Sequence, residues 1–394
     1  MIKTNSIYTF QFFLLCLSSF LFFSSFNMII PELPAYLDRL GGGQYKGLII
    51  ALFTLTAGLS RPFSGKLTDT VGRIPVMIFG AVICFVCGFI YPLATSVTAF
   101  LALRFFHGLS TGFKPTGTSA YVADLVPHTR RGEAMGILGL CGSLGIAAGP
   151  AIGSAIANAY SFHTMFYASS GAAILSVLVL AGMKETLEDR QRFSIRLLKL
   201  SPREILEPRV AAPCIAVIFT TFSFGVVLTL TPDLSDSLGI ANRGLYFLYF
   251  TGASVAVRVL AGKASDRYGR LAVLKVATVV LAAGMLLTGF ATSVPMFIAG
   301  GLVFGLGAGI NTPTVFAWTI DLSRDRYRGR AMATMYIALE FGIGMGALLS
   351  GWIYGNDDTR FGYAYGLGAL LALAAWIYLM VGAKRMVPQA EVVR

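Results

Sequence analysis

Long apolar runs alternate with short polar segments along the whole chain. The runs are 19 to 26 residues long, close to the ~20 residues that an α-helix needs to cross the hydrocarbon of a bilayer. Twelve are recognised: 8–30, 47–65, 74–93, 97–122, 134–158, 164–183, 212–231, 244–264, 272–292, 295–320, 331–354 and 363–383. They are too long for barrel strands, and lipid offers no partner for backbone amides, so each is predicted to be a helix. The first exceeds the apolar core of a signal peptide, about 7–15 residues, and is predicted to be retained.

The composition supports a membrane protein with almost no domain outside the bilayer. Of the 394 residues, 56% are hydrophobic and 13% are charged, about half the charged fraction of soluble domains. Soluble, disordered, collagen-like and disulfide-stapled classes are therefore excluded. All five cysteines lie in predicted spans, and the pair Cys84-x-x-Cys87 has no second ligand pair, so we expect no disulfide and no metal site.

Basic residues are distributed unevenly between the two sides of the predicted spans. If the N-terminus is inside, 23 of the 31 Lys and Arg residues lie in or beside inside segments, and 4 lie in outside loops. This positive-inside pattern predicts that both termini are cytoplasmic. The net charge of +12 then faces lipid headgroups and the cytoplasm, which argues against a nucleic-acid partner.

The second half of the sequence repeats the first. Gly-Lys-Leu-Thr-Asp-Thr-Val-Gly-Arg at 65–73 recurs as Gly-Lys-Ala-Ser-Asp-Arg-Tyr-Gly-Arg at 262–270, an offset of 197. Further matches at this offset are Arg61 with Arg258, Gly108 with Gly305, Asp124 with Asp321 and Arg131 with Arg328. A duplicated six-helix unit is typical of secondary transporters.

The predicted fold is an all-α membrane protein of twelve transmembrane helices in two pseudo-symmetric six-helix bundles. Residues 1–183 form the N-terminal bundle in this prediction, and residues 211–394 form the C-terminal bundle. Between them, residues 184–210 are predicted to be a cytoplasmic linker that carries an amphipathic helix on the lipid headgroups.

Four motifs carry a family resemblance. They are the segment 65–73 with its copy at 262–270, Arg-Phe-Phe-His-Gly at 104–108, Gly-x-x-x-Gly-Pro-x-x-Gly at 145–153, and Asn-Met-Ile-Ile-Pro-Glu-Leu-Pro at 27–34. With them the chain resembles the major facilitator superfamily, and within it the twelve-helix drug:proton antiporter branch. Thr70, His107 and Ser154 depart from the family pattern.

The resemblance implies roles for two of these motifs. It implies a cytoplasmic gate latch, whose charges pair in one state and separate in another, built from Gly65, Asp69, Gly72, Arg73 and Asp124 and again from Gly262, Asp266, Gly269, Arg270 and Asp321. The alternative is a static loop that only fixes topology. The fifth-helix motif, Gly145, Gly149, Pro150 and Gly153, is implied to mark an exporter; the alternative is a packing seam, because small residues let helices approach closely.

One face of the fourth span is cationic. Arg104, His107, Thr111, Lys114 and Thr118 share this face, being spaced by three and four residues. A packing role would be expected to recur in both halves, but the residues 197 positions later are Gly301, Phe304, Ala308, Asn311 and Val315. We predict as substrate-pocket candidates Lys114, His107, Thr111, Asn27 and Asn311. The alternative is that Arg104 snorkels outward and Lys114 belongs to a buried structural pair.

The candidates for proton coupling are Glu340, Glu32, Asp233 and Arg104. Glu340 lies near the middle of the eleventh span, where a charge needs a partner, and Lys114 or Arg104 is its expected countercharge. A carboxyl in a cavity that opens to each side in turn carries a proton across; the alternative is a fixed ion pair. Glu32 and Asp233 end the first and seventh spans, where they either bind protons or cationic substrate, or form an outer gate.

Together these patterns predict a secondary active transporter, specifically a proton-coupled exporter of small organic molecules or drugs that works by alternating access. A sugar or metabolite exporter, or an uptake symporter, of the same fold is the alternative, and a membrane receptor or enzyme is a remote one. No P-loop and no His-Glu-x-x-His motif occurs, which argues against an enzyme. We expect a small-molecule substrate, protons and the bilayer as partners, the proton gradient in place of a cofactor, and a monomer in a bacterial inner membrane.

Overall fold

The computed structural model describes residues 8–126, 130–200, 205–323 and 328–381. These ranges contain twelve helices of 18 or more residues, at the positions of the twelve predicted spans. They are α1 (Phe10–Ile29), α2 (Lys46–Thr70), α3 (Arg73–Ile90), α4 (Val97–Leu125), α5 (Arg131–Ala159), α6 (Phe162–Ala181), α7 (Ala211–Ser237), α8 (Leu245–Tyr268), α9 (Arg270–Gly289), α10 (Val294–Leu322), α11 (Arg328–Tyr354) and α12 (Phe361–Val381). Ten of them, all but α4 and α8, are long and apolar enough to cross a membrane. The chain is therefore a multi-pass, helical membrane protein.

The first six helices pack together, and the last six repeat their arrangement. In the N-terminal bundle, α1 packs on α5 and α6, α4 packs on α2 and α3, and α3 packs on α6. In the C-terminal bundle, α7 packs on α11 and α12, α10 packs on α8 and α9, and α9 packs on α12. The main contacts between the bundles, α2 with α11 and α8 with α5, are related by the same shift of six helices. The sequence duplication is thus also a duplication of packing.

The two ends of the bundles differ in what they carry. The linker face carries residues 184–210 and the turns between α2 and α3 and between α8 and α9; the distal face carries the turns between α1 and α2 and between α7 and α8. A large buried apolar cluster fills the N-terminal bundle and reaches Ile343 and Ala347 of α11, while two others fill the C-terminal bundle. Burial of this apolar surface positions the helices that bear the polar groups described below.

The turns at the linker face are tighter than predicted. Helix α2 continues to Thr70 and α3 begins at Arg73, so most of the segment predicted as a loop is helical. Gly72 has a φ of +136° and Gly269 a φ of +85°, values that side chains disfavour. Glycine therefore permits the tight turn at these two positions.

The first glycine of the latch motif is not closely packed. A Cβ at Gly65 would meet nothing within 4 Å, so no close backbone approach requires glycine there. Gly262 lies in 259–263, a stretch whose side chains are outside the described residues. In the described parts of the linker, 184–200 and 205–210, the structure has the short 3-10 turns Ile195–Leu198 and Pro208–Val210, and Ile205 is α-helical; the amphipathic helix stays a prediction.

Candidate functional site

A cavity of about 880 Å³ lies between the two bundles. Helices α1, α4 and α5 form one wall, and α8, α10 and α11 form the other. The lining is mainly apolar, and its charged residues are Lys114, Arg258, Asp266 and Arg270. Asp266 and Arg270 lie at the linker face, so the cavity reaches that face. A cavity of this size, with apolar walls and few polar groups, suits a drug-sized ligand.

Glu340 forms a buried ion pair that joins the two bundles. An Nη of Arg61 on α2 lies 3.2 Å from Oε1 of Glu340 on α11, and the side chains are only 7% and 10% exposed. The Arg61 guanidinium also lies 4.5 Å from the ring centre of Tyr336, which lines the cavity. The prediction that Lys114 or Arg104 is the countercharge of Glu340 is therefore wrong.

The symmetry-related position holds an arginine and a serine. Arg258 and Ser143 lie 197 residues from Arg61 and Glu340, and an Nη of Arg258 donates a hydrogen bond to Oγ of Ser143 at 3.0 Å. Among the described residues, no carboxylate lies within 4 Å of Arg258, and its buried Nε has no hydrogen-bond partner. The two arginines thus occupy equivalent positions, but of the two only Arg61 is paired with a carboxylate among the described residues.

The polar face predicted on the fourth span is buried. Its five residues, Arg104, His107, Thr111, Lys114 and Thr118, are at most 7% exposed. Lys114 and Thr118 line the cavity, and Nζ of Lys114 lies 4.8 Å from the ring centre of Phe22. Within the described ranges Lys114 has no ion-pair partner. The alternative in which Arg104 snorkels outward and Lys114 belongs to a structural ion pair is therefore wrong.

The other pocket candidates are buried away from the cavity. Nδ1 of His107 lies 3.1 Å from the Tyr91 hydroxyl, and Nε2 lies 3.3 Å from Sγ of Cys84. Nε of Arg104 donates to the Ile49 carbonyl at 2.9 Å. Thr111 donates to the Gly108 carbonyl, Asn27 to the Phe23 carbonyl and Asn311 to the Thr220 hydroxyl. Of the five predicted pocket residues, Lys114 alone lines this cavity.

Two reciprocal ion pairs join the bundles at the distal face. In one pair Glu32 of the N-terminal bundle contacts Arg243 of the C-terminal bundle. In the other the N-terminal bundle supplies the base, Lys46, which lies 2.8 Å from Asp233 of the C-terminal bundle. Lys46 and Arg243 are 197 residues apart, so the two pairs are symmetry mates. The side chains of Glu32 and Lys46 are 1% and 5% exposed. This geometry favours the outer gate, one of the two predicted roles of Glu32 and Asp233.

Further hydrogen bonds hold this distal gate together. Oγ of Ser154, the departure from the fifth-helix motif, donates to Glu32 and accepts from the backbone amide of Gly244 at 3.2 Å. Nε of Arg243 also contacts Oδ1 of Asp236 at 2.7 Å. Burial alone would lower the pKa of Arg243, but its hydrogen bonds and proximity to Asp236 and Glu32 outweigh burial and raise that pKa above its ordinary value. Arg243 therefore keeps its charge over the physiological pH range.

The two latch motifs form matching charge clusters at the linker face. Arg73 lies 3.1 Å from Asp69 and 3.0 Å from Asp124. The copy contains Arg270 with Asp266 and, at 2.9 Å, Asp321. Each cluster lies within one bundle, and its first aspartate is more than 70% exposed. The charges predicted to pair in one state are paired here.

Glu185 of the linker is a candidate that the sequence analysis missed. Its carboxylate accepts hydrogen bonds from the backbone amides of Arg73 at 3.1 Å and Ile74 at 2.9 Å. These amides are free because they begin α3, and the helix dipole favours a negative charge there. Glu185 thus ties the linker to the first latch cluster.

The fifth-helix motif forms a packing seam. Gly145, Gly149 and Gly153 face the backbone of α1. A Cβ at Gly149 would lie 2.7 Å from the Ser24 carbonyl oxygen, so glycine is required for this contact. At the other side of α5, Gly244 of the C-terminal bundle packs against the backbone of Pro150. The motif therefore supports both the N-terminal bundle and its contact with the other bundle.

Four basic residues of the site were not predicted: Lys46, Arg61, Arg243 and Arg258. A signal for them exists in the sequence, because they form two pairs that are each separated by the repeat offset of 197. Which group each one meets depends on contacts between the bundles, and those are visible only in the fold.

Comparisons with known proteins agree with this architecture. The family model of the Major Facilitator Superfamily matches residues 15–253 and 213–393. Multidrug resistance protein 2 of Bacillus subtilis (strain 168) is 31% identical over 185 residues, 46% of this chain and 46% of that protein. Quinolone resistance protein NorA of Staphylococcus aureus (strain MSSA476) is 29% identical over 245 residues, 61% of this chain and 58% of that protein. The chain thus matches about half the length of these relatives.

A solved transporter structure shares the fold. The crystal structure of a D-xylose-proton symporter superposes with a TM-score of 0.77 over 96% of this chain and 98% of that one, at 18% sequence identity. The family match covers nearly all of the sequence and both bundles. The chain therefore belongs to the Major Facilitator Superfamily.

Proposed function

We propose that the chain is a proton-coupled exporter of small organic molecules that works by alternating access. The observation that carries this proposal is the buried Arg61–Glu340 pair, which joins the bundles beside the central cavity. The relatives named for multidrug and quinolone resistance support a drug-like cargo. In this proposal all twelve long helices span a bacterial inner membrane, the termini and the linker face are cytoplasmic, and the protein acts as a monomer.

The observed conformation fits the inward-open stage of such a cycle. The distal gate holds the bundles together while the cavity reaches the linker face. Substrate would enter from the cytoplasm, and its release on the other side requires the Lys46–Asp233 and Glu32–Arg243 pairs to separate. A few partly exposed ion pairs can bias such an equilibrium without locking it.

Glu340 is the proposed coupling group. A carboxylate at membrane depth needs a partner, and Arg61 supplies one from the opposite bundle. Protonation neutralises Glu340 and removes its attraction to Arg61, which weakens the α2–α11 contact; loss of the proton restores it. The protonation state is thereby linked to the relative position of the bundles. A proton that crosses 100 mV supplies about 2.3 kcal/mol to this cycle.

Transport by everted membrane vesicles tests direction and coupling together. The dyes offered outside the vesicles are carboxyfluorescein, an anion, and rhodamine 6G, a cation, and the interior is acidified. An antiporter accumulates one of the dyes under this gradient, whereas a symporter loses it. Accumulation that does not respond to the gradient would refute the proposal.

The variant Glu340→Gln tests the coupling residue. It should abolish gradient-driven accumulation and leave gradient-free dye exchange intact, because the amide fills the same space and cannot carry the proton. Glu133→Gln is the matched control, since it removes an exposed acid whose partners, Arg130 and the Tyr8 hydroxyl, lie in its own bundle and outside the cavity lining. Full gradient-driven accumulation by Glu340→Gln would remove Glu340 from this role.

A further inference from the structure

The pseudo-symmetry of the bundle interface is broken at one cation. Arg61 and Arg258 occupy equivalent positions on α2 and α8, and each reaches across to the other bundle. Arg61 meets the carboxylate of Glu340, but Arg258 meets the hydroxyl of Ser143 at the equivalent position. One of two matched arginine sites thus contains its own acid and the other does not.

The arginine without an acid is the one that faces the cavity. Arg258 and Ser143 both line it, whereas Arg61 and Glu340 lie behind Tyr336. Among the described residues the guanidinium of Arg258 makes one hydrogen bond, to a neutral hydroxyl, and its buried Nε makes none. A guanidinium offers five donors in a plane that suits a carboxylate or sulfonate. Arg258 therefore has unused donors at the edge of the cavity.

A second cation, from the other bundle, lines the same cavity. Lys114 is 1% exposed, lies against the Phe22 ring, and has no carboxylate partner among the described residues. Its symmetry mate is Asn311, so this charge is not part of the repeated scaffold. Burying an unpaired ammonium costs free energy. A purely structural role therefore does not account for this lysine.

The other charges of the site do not neutralise these two cations. Asp266 lines the cavity, but at the linker face, where it pairs with Arg270. Glu340 is committed to Arg61. The lining of the same cavity also includes the aromatic and aliphatic side chains of Phe22, Phe23, Ile146 and Phe316.

We propose that Lys114 and Arg258 form one subsite for an acidic group of the cargo, which is therefore an amphipathic organic anion with a carboxylate or sulfonate and an apolar body. The acidic group takes the place that the Glu340 carboxylate has in the symmetry-related pair, and the apolar body lies against the aromatic wall. Because the two cations come from different bundles, a bound anion connects the bundles. That the bound anion is a transported cargo rests on the proposed function. Binding of the anion to this subsite can be measured without transport.

Equilibrium binding to the purified full chain in phosphatidylcholine nanodiscs tests the subsite. Carboxyfluorescein and rhodamine 6G share a xanthene core and differ in charge, and fluorescence anisotropy reports the affinity of each. The wild-type chain should prefer the anion. Lys114→Met and Arg258→Met should each weaken carboxyfluorescein binding about tenfold or more, the loss of one charge-assisted contact, and leave rhodamine 6G binding equal or tighter.

Three further variants separate binding from folding. Arg258→Lys keeps the charge and should retain most of the affinity, and Lys275→Met removes a lysine outside the cavity lining and should be silent. Ser143→Glu installs the acid that the symmetry mate has, so it should pair with Arg258 and weaken anion binding about tenfold. Thermal unfolding of each variant reports whether it is folded.

The outcomes distinguish this inference from the proposed function. A wild-type preference for rhodamine 6G, or carboxyfluorescein affinity within about twofold of wild type in the folded methionine variants, would overturn the anion subsite. Full anion affinity in Ser143→Glu would overturn the symmetry argument. Anion-selective binding without gradient-driven transport would refute the exporter proposal but would still support the anion subsite.

Discussion

Neutralising the two acids of the distal gate should open that face. The variant Glu32→Gln/Asp233→Asn keeps the shape of both side chains and removes both charge–charge attractions between the bundles. The hydrogen bond from Ser154 can still be made to an amide oxygen. The variant should therefore shift the conformational equilibrium with little effect on folding.

The magnitude follows from the burial of the two pairs. Exposed ion pairs contribute about 0–1 kcal/mol, and removing one partner of a fully buried pair costs about 3–5 kcal/mol. Glu32 is 1% exposed but Arg243 is 19% exposed, and the amides keep a hydrogen bond, so each substitution should cost about 1–3 kcal/mol. Together they should shift the equilibrium towards a distal-open state roughly 30-fold or more.

The two acids should contribute similarly, because each cation of the gate has a second carboxylate in its own bundle. After Asp233→Asn, Lys46 keeps Asp38 at 2.8 Å, and after Glu32→Gln, Arg243 keeps Asp236 at 2.7 Å. Each single variant should therefore give a shift smaller than that of the double variant.

Double electron–electron resonance measures this shift. Spin labels at positions 160 and 363 would report the distal distance between the bundles, since Tyr160 and Tyr363 are 78% and 74% exposed and lie in different bundles. The labels require a background in which the five native cysteines are replaced. Asp357→Asn is the control, because it removes an exposed distal acid that pairs with Arg360 in its own bundle. An unchanged distance distribution in the double variant would refute the gate.

Three further variants address the latch, the packing seam and the linker. Asp69→Asn should slow transport by up to about fivefold while dye affinity stays within about twofold, because the exposed Asp69–Arg73 pair biases the cycle and does not touch the cavity; a change in affinity alone would count against the latch. Gly149→Ala should lower the unfolding temperature, with a cost of about 1–3 kcal/mol from its contact with the Ser24 carbonyl, whereas Gly171→Ala, which meets nothing within 4 Å, should not; equal melting of the two would contradict the seam. Glu185→Gln should increase hydrogen exchange at the first turn of α3, since it weakens a cap of about 0.5–2 kcal/mol, and unchanged exchange there would show that the cap is dispensable.

Hydropathy and the repeat were enough to predict the helices and their grouping. An apolar run of about 20 residues has few alternatives in lipid, so the twelve runs and the twelve long helices agree in position. The boundaries were less predictable. Residues 65–70 read as a polar loop but continue α2, because neighbouring turns of a helix satisfy their amides whether or not the side chains are polar.

The site was predictable only in part because ion pairs between bundles depend on helix rotation. Lys114 was found from its spacing on one helix face, which is a local property. The partner of Glu340 was missed, since Arg61 lies 279 residues away and faces it only when α2 packs on α11. His107 lies on the same helix face as Lys114, but its two ring nitrogens contact the Tyr91 hydroxyl and the Cys84 sulfur instead of the cavity. Matching the two halves of the repeat paired Arg61 with Arg258, but it could not show which groups they contact in the opposite bundle.

Access to the cavity from the two faces tests alternating access most directly. Ser119 lines the cavity on α4, so Ser119→Cys in the cysteine-free background can be reacted with a membrane-impermeant thiol reagent added to one side at a time. With the gate residues unchanged, we expect the introduced cysteine to react with reagent added at the linker face. When Glu32→Gln/Asp233→Asn is added, it should also react with reagent added at the distal face. Equal reaction from both faces with the gate intact, or none from the distal face with the gate neutralised, would contradict it.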